Sequence, residues 1–125
     1  MLEKIETVQI GIKEYPVIFT LNILEKIQEI YGSMDKWNSL LFGVDGQEPS
    51  IKVIIWTFNE MMNEAIDITN IDTEVKQLKL EHKQVGRIIG QLGLKGALAV
   101  ILKLLSSQAE TDEQDPNEKA NPMQK

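Results

Sequence analysis

The sequence predicts a mainly helical α+β domain, in which an N-terminal β-hairpin packs on a bundle of about five helices. In residues 51–66 apolar side chains recur every three or four positions, as on the buried side of an α-helix. In residues 3–19 two β-branched, aromatic runs flank Gly11, as in two short strands joined by a turn. The polar, acidic end of the chain has no helical period, which predicts a disordered tail. We therefore expect one domain over residues 1–105 and a disordered acidic tail over residues 106–125.

The composition narrows the possible classes of function. The chain has 125 residues, enough for one domain, and it contains no cysteine. Disulfides, thiolate metal sites and cysteine nucleophiles are therefore excluded. The net charge of −6 disfavours a nucleic-acid or anionic-membrane partner, because both require clustered positive charge. No apolar run approaches the ~20 residues of a transmembrane helix, so we expect no membrane partner.

The predicted hairpin consists of the runs 3–10 and 13–19, with its turn near Gly11. Pro16 has no N–H to donate to a neighbouring strand, so the second strand should lie at a sheet edge or begin after this residue. Because an isolated hairpin is only marginally stable in water, we expect it to pack on a helix.

Two helices are predicted to follow the hairpin. Thr20 is a residue type that caps helices, and it precedes an amphipathic pattern that ends at Gly32. Ser33 can cap a second, shorter helix, which ends at Gly43. A turn containing Asp45-Gly46 then leads to the central helix.

The central helix is predicted to begin at Pro49 or Ser50 and to end near Ile66. It is apolar over more than half of its circumference, which is typical of a helix packed on several sides. Its aromatic and methionine side chains are therefore expected to fill the core. Residues 67–76 mix isolated apolar residues with Thr, Asn and Asp, which favours a loop with about one helical turn.

The C-terminal half predicts two more helices. One begins between Leu80 and Lys83 and is weakened or ended by Gly90 and Gly93. The last covers residues 97–105 and is apolar nearly all round, with one charged residue. Some of its apolar side chains are predicted to cover a partner, although all of them could equally belong to the core. The candidate partner-binding residues are Leu94, Leu98, Ile101, Leu102 and Leu105.

No arrangement of residues points to catalysis. His82 is the only histidine, and no second ligand stands four residues after it, so we interpret it as a solvated surface residue. Glu60, Glu64 and Asp67 recur at spacings of four and three on the central helix. Nothing indicates a cleft around them, so they predict a solvated face or a helix-end cluster rather than an acid–base pair. We therefore expect no enzyme, no metal site and no cofactor.

The segment from Val85 to Gly93 resembles the core of the KH RNA-binding domain, where an Ile-Gly-x-x-Gly turn between two helices clamps a nucleic-acid backbone. In this chain the turn is Gly90-Gln91-Leu92-Gly93, without a basic residue between the glycines. The alternative interpretation is that the glycines separate two helices or let them approach closely. The three-stranded sheet of a KH domain is not evident in the sequence.

The order of elements resembles that of the tail assembly chaperones of long-tailed bacteriophages. The resemblance between residues is concentrated in GIKEYPVIFTLNILEKI, residues 11–27, a strand running into a helix. Tyr31-Gly32-Ser33 and a short helix continue it. A central helix containing Trp56, a helix near Val85, a last apolar helix and a short acidic tail follow in the family's order.

This resemblance implies a non-catalytic chaperone that binds the tape measure protein in the host cytoplasm, prevents its aggregation and helps recruit tail tube protein subunits. It also implies that the chaperone is absent from the mature virion. The chain would be the short form, whose tail from Ser106 is the point where a frameshifted form extends. A homo-oligomer is possible. The alternatives are a KH-like module that binds single-stranded RNA and a small phage-encoded regulatory binding protein, although no helix has the basic face of a DNA reader.

Overall fold

A hairpin followed by five helices forms the described part of the chain, which confirms the predicted mainly helical α+β class. The computed structural model describes the backbone of residues 4–113 and the side chains of residues 4–107. The elements in chain order are β1 (Glu6–Ile10), β2 (Lys13–Val17), α1 (Leu21–Tyr31), α2 (Met34–Phe42), α3 (Ile51–Ile71), α4 (His82–Ile89) and α5 (Gly93–Glu113). The strand β2 and the helices α2, α4 and α5 all contact α3.

The hairpin turns through the two residues Gly11 and Ile12. Gly11 has a φ of 65°, whereas Ile12 has a negative φ, which is the pattern of a type II′ turn. The pair that closes such a turn is hydrogen bonded, and bonded pairs then alternate, so Thr7↔Pro16 falls at a non-hydrogen-bonded position. Pro16 can therefore lie within β2 without removing a ladder bond. Both strands of this two-stranded sheet are edges, as the proline predicts.

Two of the three predicted helix caps form as expected. Ser33 and Ser50 each accept a hydrogen bond at Oγ from the backbone N–H three residues later, at 3.0 Å and 3.3 Å. Thr20 immediately precedes α1, but its side chain does not cap the helix. Its Oγ1 instead donates to Glu64 Oε2 of α3 at 2.6 Å. The hydroxyl thus joins α1 to α3 rather than stabilising the first turn of its own helix.

Both long helices extend beyond the predicted ends. The helix α3 continues past Ile66 to Ile71, and α5 begins at Gly93 rather than Ala97 and continues to Glu113. The helix α5 therefore continues across the predicted boundary between the domain and the tail at 105/106, through residues 106–113. Gln108, Ala109 and Glu110 are residue types that favour a helix even without apolar periodicity. The remainder of the predicted disordered tail, residues 114–125, lies outside the described residues.

The helix α3 forms the centre of the core, as predicted. Phe58, Met61, Met62 and Ala65 are all at most 1% exposed. The core continues through apolar residues of every other element. Its other members are Val8, Ile10, Val17, Phe19, Ile23, Ile27, Trp37, Leu41, Val53, Ile54, Val85, Ile89, Ala97, Ile101 and Leu104.

A buried hydrogen bond joins α2 to α3 inside this core. The Trp37 Nε1–H donates to Thr57 Oγ1 at 3.1 Å, and this hydroxyl donates to the Val53 backbone carbonyl at 2.8 Å. Both side chains are at most 1% exposed. An indole N–H that is removed from water needs an acceptor, so Thr57 sets the position of Trp37 along α3.

The three acids of α3 do not form the predicted solvated face. Glu60 pairs with Lys26 of α1 at 2.8 Å, and Glu64 accepts bonds from the side chains of α1 and the residue before it. Asp67 pairs with Lys79 at 3.2 Å. The carboxylates therefore join α3 to neighbouring segments, which the spacing of the acids alone could not indicate.

Two asparagines of α3 hold the segment 72–81, which has no regular secondary structure. The Asn63 side chain accepts from the Leu80 N–H at 2.7 Å and donates to the Leu80 carbonyl at 2.9 Å. The Asn70 side chain makes the same pair of bonds to the Gln77 backbone, at 2.9 Å and 3.0 Å. Each amide binds both backbone groups of one residue, as a neighbouring strand would.

We expect Thr57→Val to lower the free energy of unfolding by about 1–3 kcal/mol, because it leaves the Trp37 indole N–H without its acceptor in the core. Urea-induced unfolding followed by tryptophan fluorescence measures this loss. Thr69→Val is the matched control, since Thr69 is an exposed residue of the same helix. Equal stabilities of the two variants would contradict the assigned hydrogen bond.

We expect Asn63→Ala to speed hydrogen exchange at the Leu80 amide by about tenfold or more, because the amide loses its acceptor and the segment its anchor. Exchange measured by NMR resolves this single site. Asn38→Ala, on the exposed side of α2, should leave the Leu80 amide unchanged. Unaltered protection in Asn63→Ala would show that other contacts hold the segment.

Candidate partner-binding groove

An apolar groove opens between the first turns of α3, the helix α4 and the start of α5. It encloses about 430 Å³ of space, part of which is open to solvent. Every residue that lines it is apolar or glycine. These residues are Ile51, Ile54, Ile55, Gly86, Ile89, Gly90, Gly93, Leu94 and Ala97. We refer to this surface as the α3–α5 groove.

The α3–α5 groove has a buried floor and exposed walls. Ile54, Ile89 and Ala97 form the floor and are at most 5% exposed. Ile51 and Leu94 stand at the walls and are 63% and 44% exposed. A recess with an apolar floor and apolar walls suits an inserted hydrophobic side chain better than a flat apolar patch does.

Glycines keep the groove open. The helices α4 and α5 meet at 102° across the turn 90–92, and Gly93 takes a φ of 74° where α5 begins. A Cβ at Gly86 would stand 3.3 Å from Cδ1 of Ile55 across the groove. The predicted role of Gly90 and Gly93 in separating two helices is confirmed. Because these glycines have no side chains, they also leave the space that forms the groove.

The structure divides the five predicted partner-binding residues of α5. Leu94 lines the groove, and Leu102 is 56% exposed outside it. Leu98 and Leu105 are half-buried and pack against the core. Ile101 is 1% exposed, so its assignment to a partner surface is wrong: it points to the chain's own core.

Sequence reasoning missed most of the groove. The isoleucines of the first turns of α3 were expected to be core, yet Ile51 is largely exposed and Ile55 is half-buried. A signal was available in the chain, because Gly86, Gly90 and Gly93 remove side chains at spacings of four and three. Three glycines at this spacing leave one side of α4 and the following turn without side chains. Residues of a neighbouring helix that face this side, such as Ile51 and Ile55, are therefore only partly covered.

The Gly90-Gln91-Leu92-Gly93 turn lies between two helices, as the KH resemblance requires. The sheet differs from the three-stranded sheet of a KH domain, because the only sheet within residues 4–113 is the two-stranded hairpin. Gln91 also lies against the hairpin turn, where its Oε1 stands 2.5 Å from a Cβ built at Gly11. The side chain of Gln91 therefore lies beside the hairpin tip, while Gly90, Gln91 and Gly93 are all exposed.

The described residues form no metal site, and they place the single histidine on the surface. His82 is exposed at the first position of α4. Among the described side chains, no group of three His, Asp or Glu residues is placed to hold a metal ion. No single helix there is long and apolar enough to cross a membrane. The helix α4 and the residues 93–107 meet that test only together, across their 102° bend.

Charged and aromatic groups at the contact of α1 with α3 serve packing. The Glu60 carboxylate raises the pKa of Lys26, chiefly through their hydrogen bond. Burial, with a smaller contribution from Glu60, raises the pKa of Tyr31. Tyr31 meets Trp56 edge to face, with ring centroids 5.3 Å apart. These groups therefore stabilise the contact between α1 and α3.

Comparison of the chain with protein-family models, with curated proteins and with solved structures found no match.

We expect Gly86→Ala to keep or raise the free energy of unfolding, by up to about 1 kcal/mol, because alanine favours the interior of α4 and the Ile55 side chain can yield. Gly93→Ala should instead lower it by about 1 kcal/mol or more, because a φ of 74° is unfavourable for alanine. Chemical denaturation compares the two. Similar losses in both variants would show that α4 has no room at Gly86.

Proposed function

We propose that this protein is a tail assembly chaperone of a long-tailed bacteriophage, which binds the tape measure protein and acts without catalysis. The observation that carries the proposal is the α3–α5 groove, an apolar recess of a size that accepts side chains of a partner helix. The resemblance over residues 11–33 supplies the partner. The remaining parts of the proposal rest on that resemblance: recruitment of tail tube subunits, action in the host cytoplasm and absence from the mature virion.

The groove suits transient protection of an aggregation-prone helix. A tape measure protein is expected to present long apolar helical stripes, and a helix that lays such a stripe into a groove is a recurrent binding mode. The lining here is limited to nine residues. A small apolar contact supports weak, reversible binding better than permanent association. Many chaperone molecules could then cover one long partner, and their dissociation would need no input of energy.

Co-expression with fragments of the tape measure protein from the same genome tests the proposal. Wild-type chaperone should keep such fragments soluble and co-purify with them. We expect Leu94→Glu to weaken this binding by about tenfold or more, because it places a carboxylate at the apolar wall of the groove. Val75→Glu is the matched control, because Val75 is 85% exposed and does not line the groove.

Equal co-purification of Leu94→Glu and Val75→Glu would show that the partner binds elsewhere. Failure of the wild type to bind any fragment would overturn the chaperone function. If the wild type then bound single-stranded RNA or duplex DNA, the result would favour the KH-like module or the regulatory binding protein instead.

A further inference from the structure

The two sequence ranges that line the α3–α5 groove carry charges of one sign only. Within residues 51–59 and 82–107, which hold every lining residue, no residue is acidic. This is unexpected in a chain of net charge −6. The formally charged residues in these two ranges are Lys52, Lys83, Arg87, Lys95 and Lys103.

Three of these cations, which we call the rim cations, stand next to lining residues in the sequence. Each of them directly follows a lining residue on its helix, one on each of α3, α4 and α5, and each is exposed. A residue is turned about 100° from its predecessor on a helix, so Lys52 and Arg87 follow the lining faces of α3 and α4, whereas Lys95 lies beyond Leu94, away from Gly93 and Ala97. The three pairs of lining residue and rim cation are Ile51 and Lys52, Gly86 and Arg87, and Leu94 and Lys95.

Lys83 extends the rim, since it lies one turn before Arg87 on α4. Lys103 does not belong to it, because it lies beside β1 in a different recess. The rim cations Lys52, Arg87 and Lys95 have no carboxylate within ion-pair distance among the described side chains. The ion pairs Lys26–Glu60 and Lys79–Asp67 do not involve the rim cations.

The acids nearest in sequence form no ion pair with these cations among the described side chains. Glu81 precedes α4, and its backbone N–H donates to Gln84 Oε1 at 2.7 Å in a capping box. Glu48 precedes α3 and is exposed, without an ion pair to any described cation. The segments that form the apolar floor therefore carry exposed cations that have no ion pair among the described side chains.

We propose that the α3–α5 groove selects an amphipathic helix whose apolar stripe is flanked by Asp or Glu. The inference rests on the proposed function, in that the groove is taken as the binding surface, and it adds the charge of the partner segment. The apolar floor supplies burial, and the rim attracts the flanking carboxylates and disfavours segments flanked by Lys or Arg. A chaperone built in this way recognises only some of the helical stripes in a long partner.

A helix fits this surface better than RNA or a membrane. The lining holds no aromatic side chain on which a base could stack and no polar side chain that could read a base edge. The floor residues Ile54, Ile89 and Ala97 are buried, so a flat bilayer surface could not reach them. The ridge of side chains on a helix can enter such a recess.

Three synthetic helices of about 18 residues, or five turns, test the inference. They share one apolar stripe and carry Glu, Gln or Lys at the flanking positions, and fluorescence anisotropy measures their binding to the full chain. At low salt we expect the Glu peptide to bind about tenfold or more tightly than the Lys peptide, with the Gln peptide between them. The difference should shrink as salt rises, because the rim is exposed to solvent.

The double variant Arg87→Glu/Lys95→Glu should reverse the order of the Glu and Lys peptides. Lys4→Glu/Lys36→Glu is the matched control, because it changes the net charge equally at exposed residues that do not line the groove. Circular dichroism checks that both variants fold. If the rim variant does not fold, the peptide series and its salt dependence on the wild type still decide the question.

Equal binding of the Glu and Lys peptides to the wild type would overturn the inference, while capture of tape measure fragments in the same assay would leave the proposed function standing. Preference for the Glu peptide without capture of any fragment would support the inference and reject that function. Binding of single-stranded RNA or of anionic vesicles through the rim cations, without a peptide preference, would also overturn the inference.

Discussion

The fold depends on one constraint, which is that α3 must be buried on most sides. Its core residues have almost no exposure, and no single neighbour could cover them. The hairpin, α2, α4 and α5 each cover one part. The Ile18 N–H also bonds to the Met61 carbonyl of α3 at 3.2 Å, which fixes the point where the chain leaves the hairpin. Apolar burial supplies most of the stabilisation, and the polar contacts select one arrangement of these neighbours.

Polar side chains along α3 then determine where each neighbour sits. Thr57 receives the Trp37 indole, Glu60 and Glu64 hold α1 and the residue before it, and Asn63 and Asn70 hold the segment before α4. All of these contacts except that of Asn70 join residues at least 17 positions apart in the sequence. The helix thus acts both as the apolar core and as the template that positions the other elements.

Much of the fold could be predicted from the sequence because its signals are local. The turn at Gly11, the caps Ser33 and Ser50 and the apolar period of α3 depend on neighbours within a few residues. The extension of α5 through residues 106–113 was missed because the prediction relied on apolar periodicity, which a helix does not require. The acids of α3 were misjudged because their partners lie on other elements.

The candidate site was predicted in part, through Leu94, and the reason is again non-local. A groove is the space between elements, and its shape follows from the 102° bend between α4 and α5 and from their distance to Ile51 and Ile55. No periodicity within a single helix describes that space. The exclusion of acids from the two segments that form it is visible in the sequence, but it acquires meaning only when the fold brings those segments together.

The asparagine contacts to segment 72–81 have a consequence for how the groove responds to its surroundings. Neutral amides hold the backbone that leads into α4, and salt screens bonds of this kind far less than it screens attraction between exposed charges. Shape and attraction in the groove therefore depend on ionic strength to different degrees. A rise in ionic strength that released the proposed acidic helix would therefore leave the shape of the empty groove unchanged.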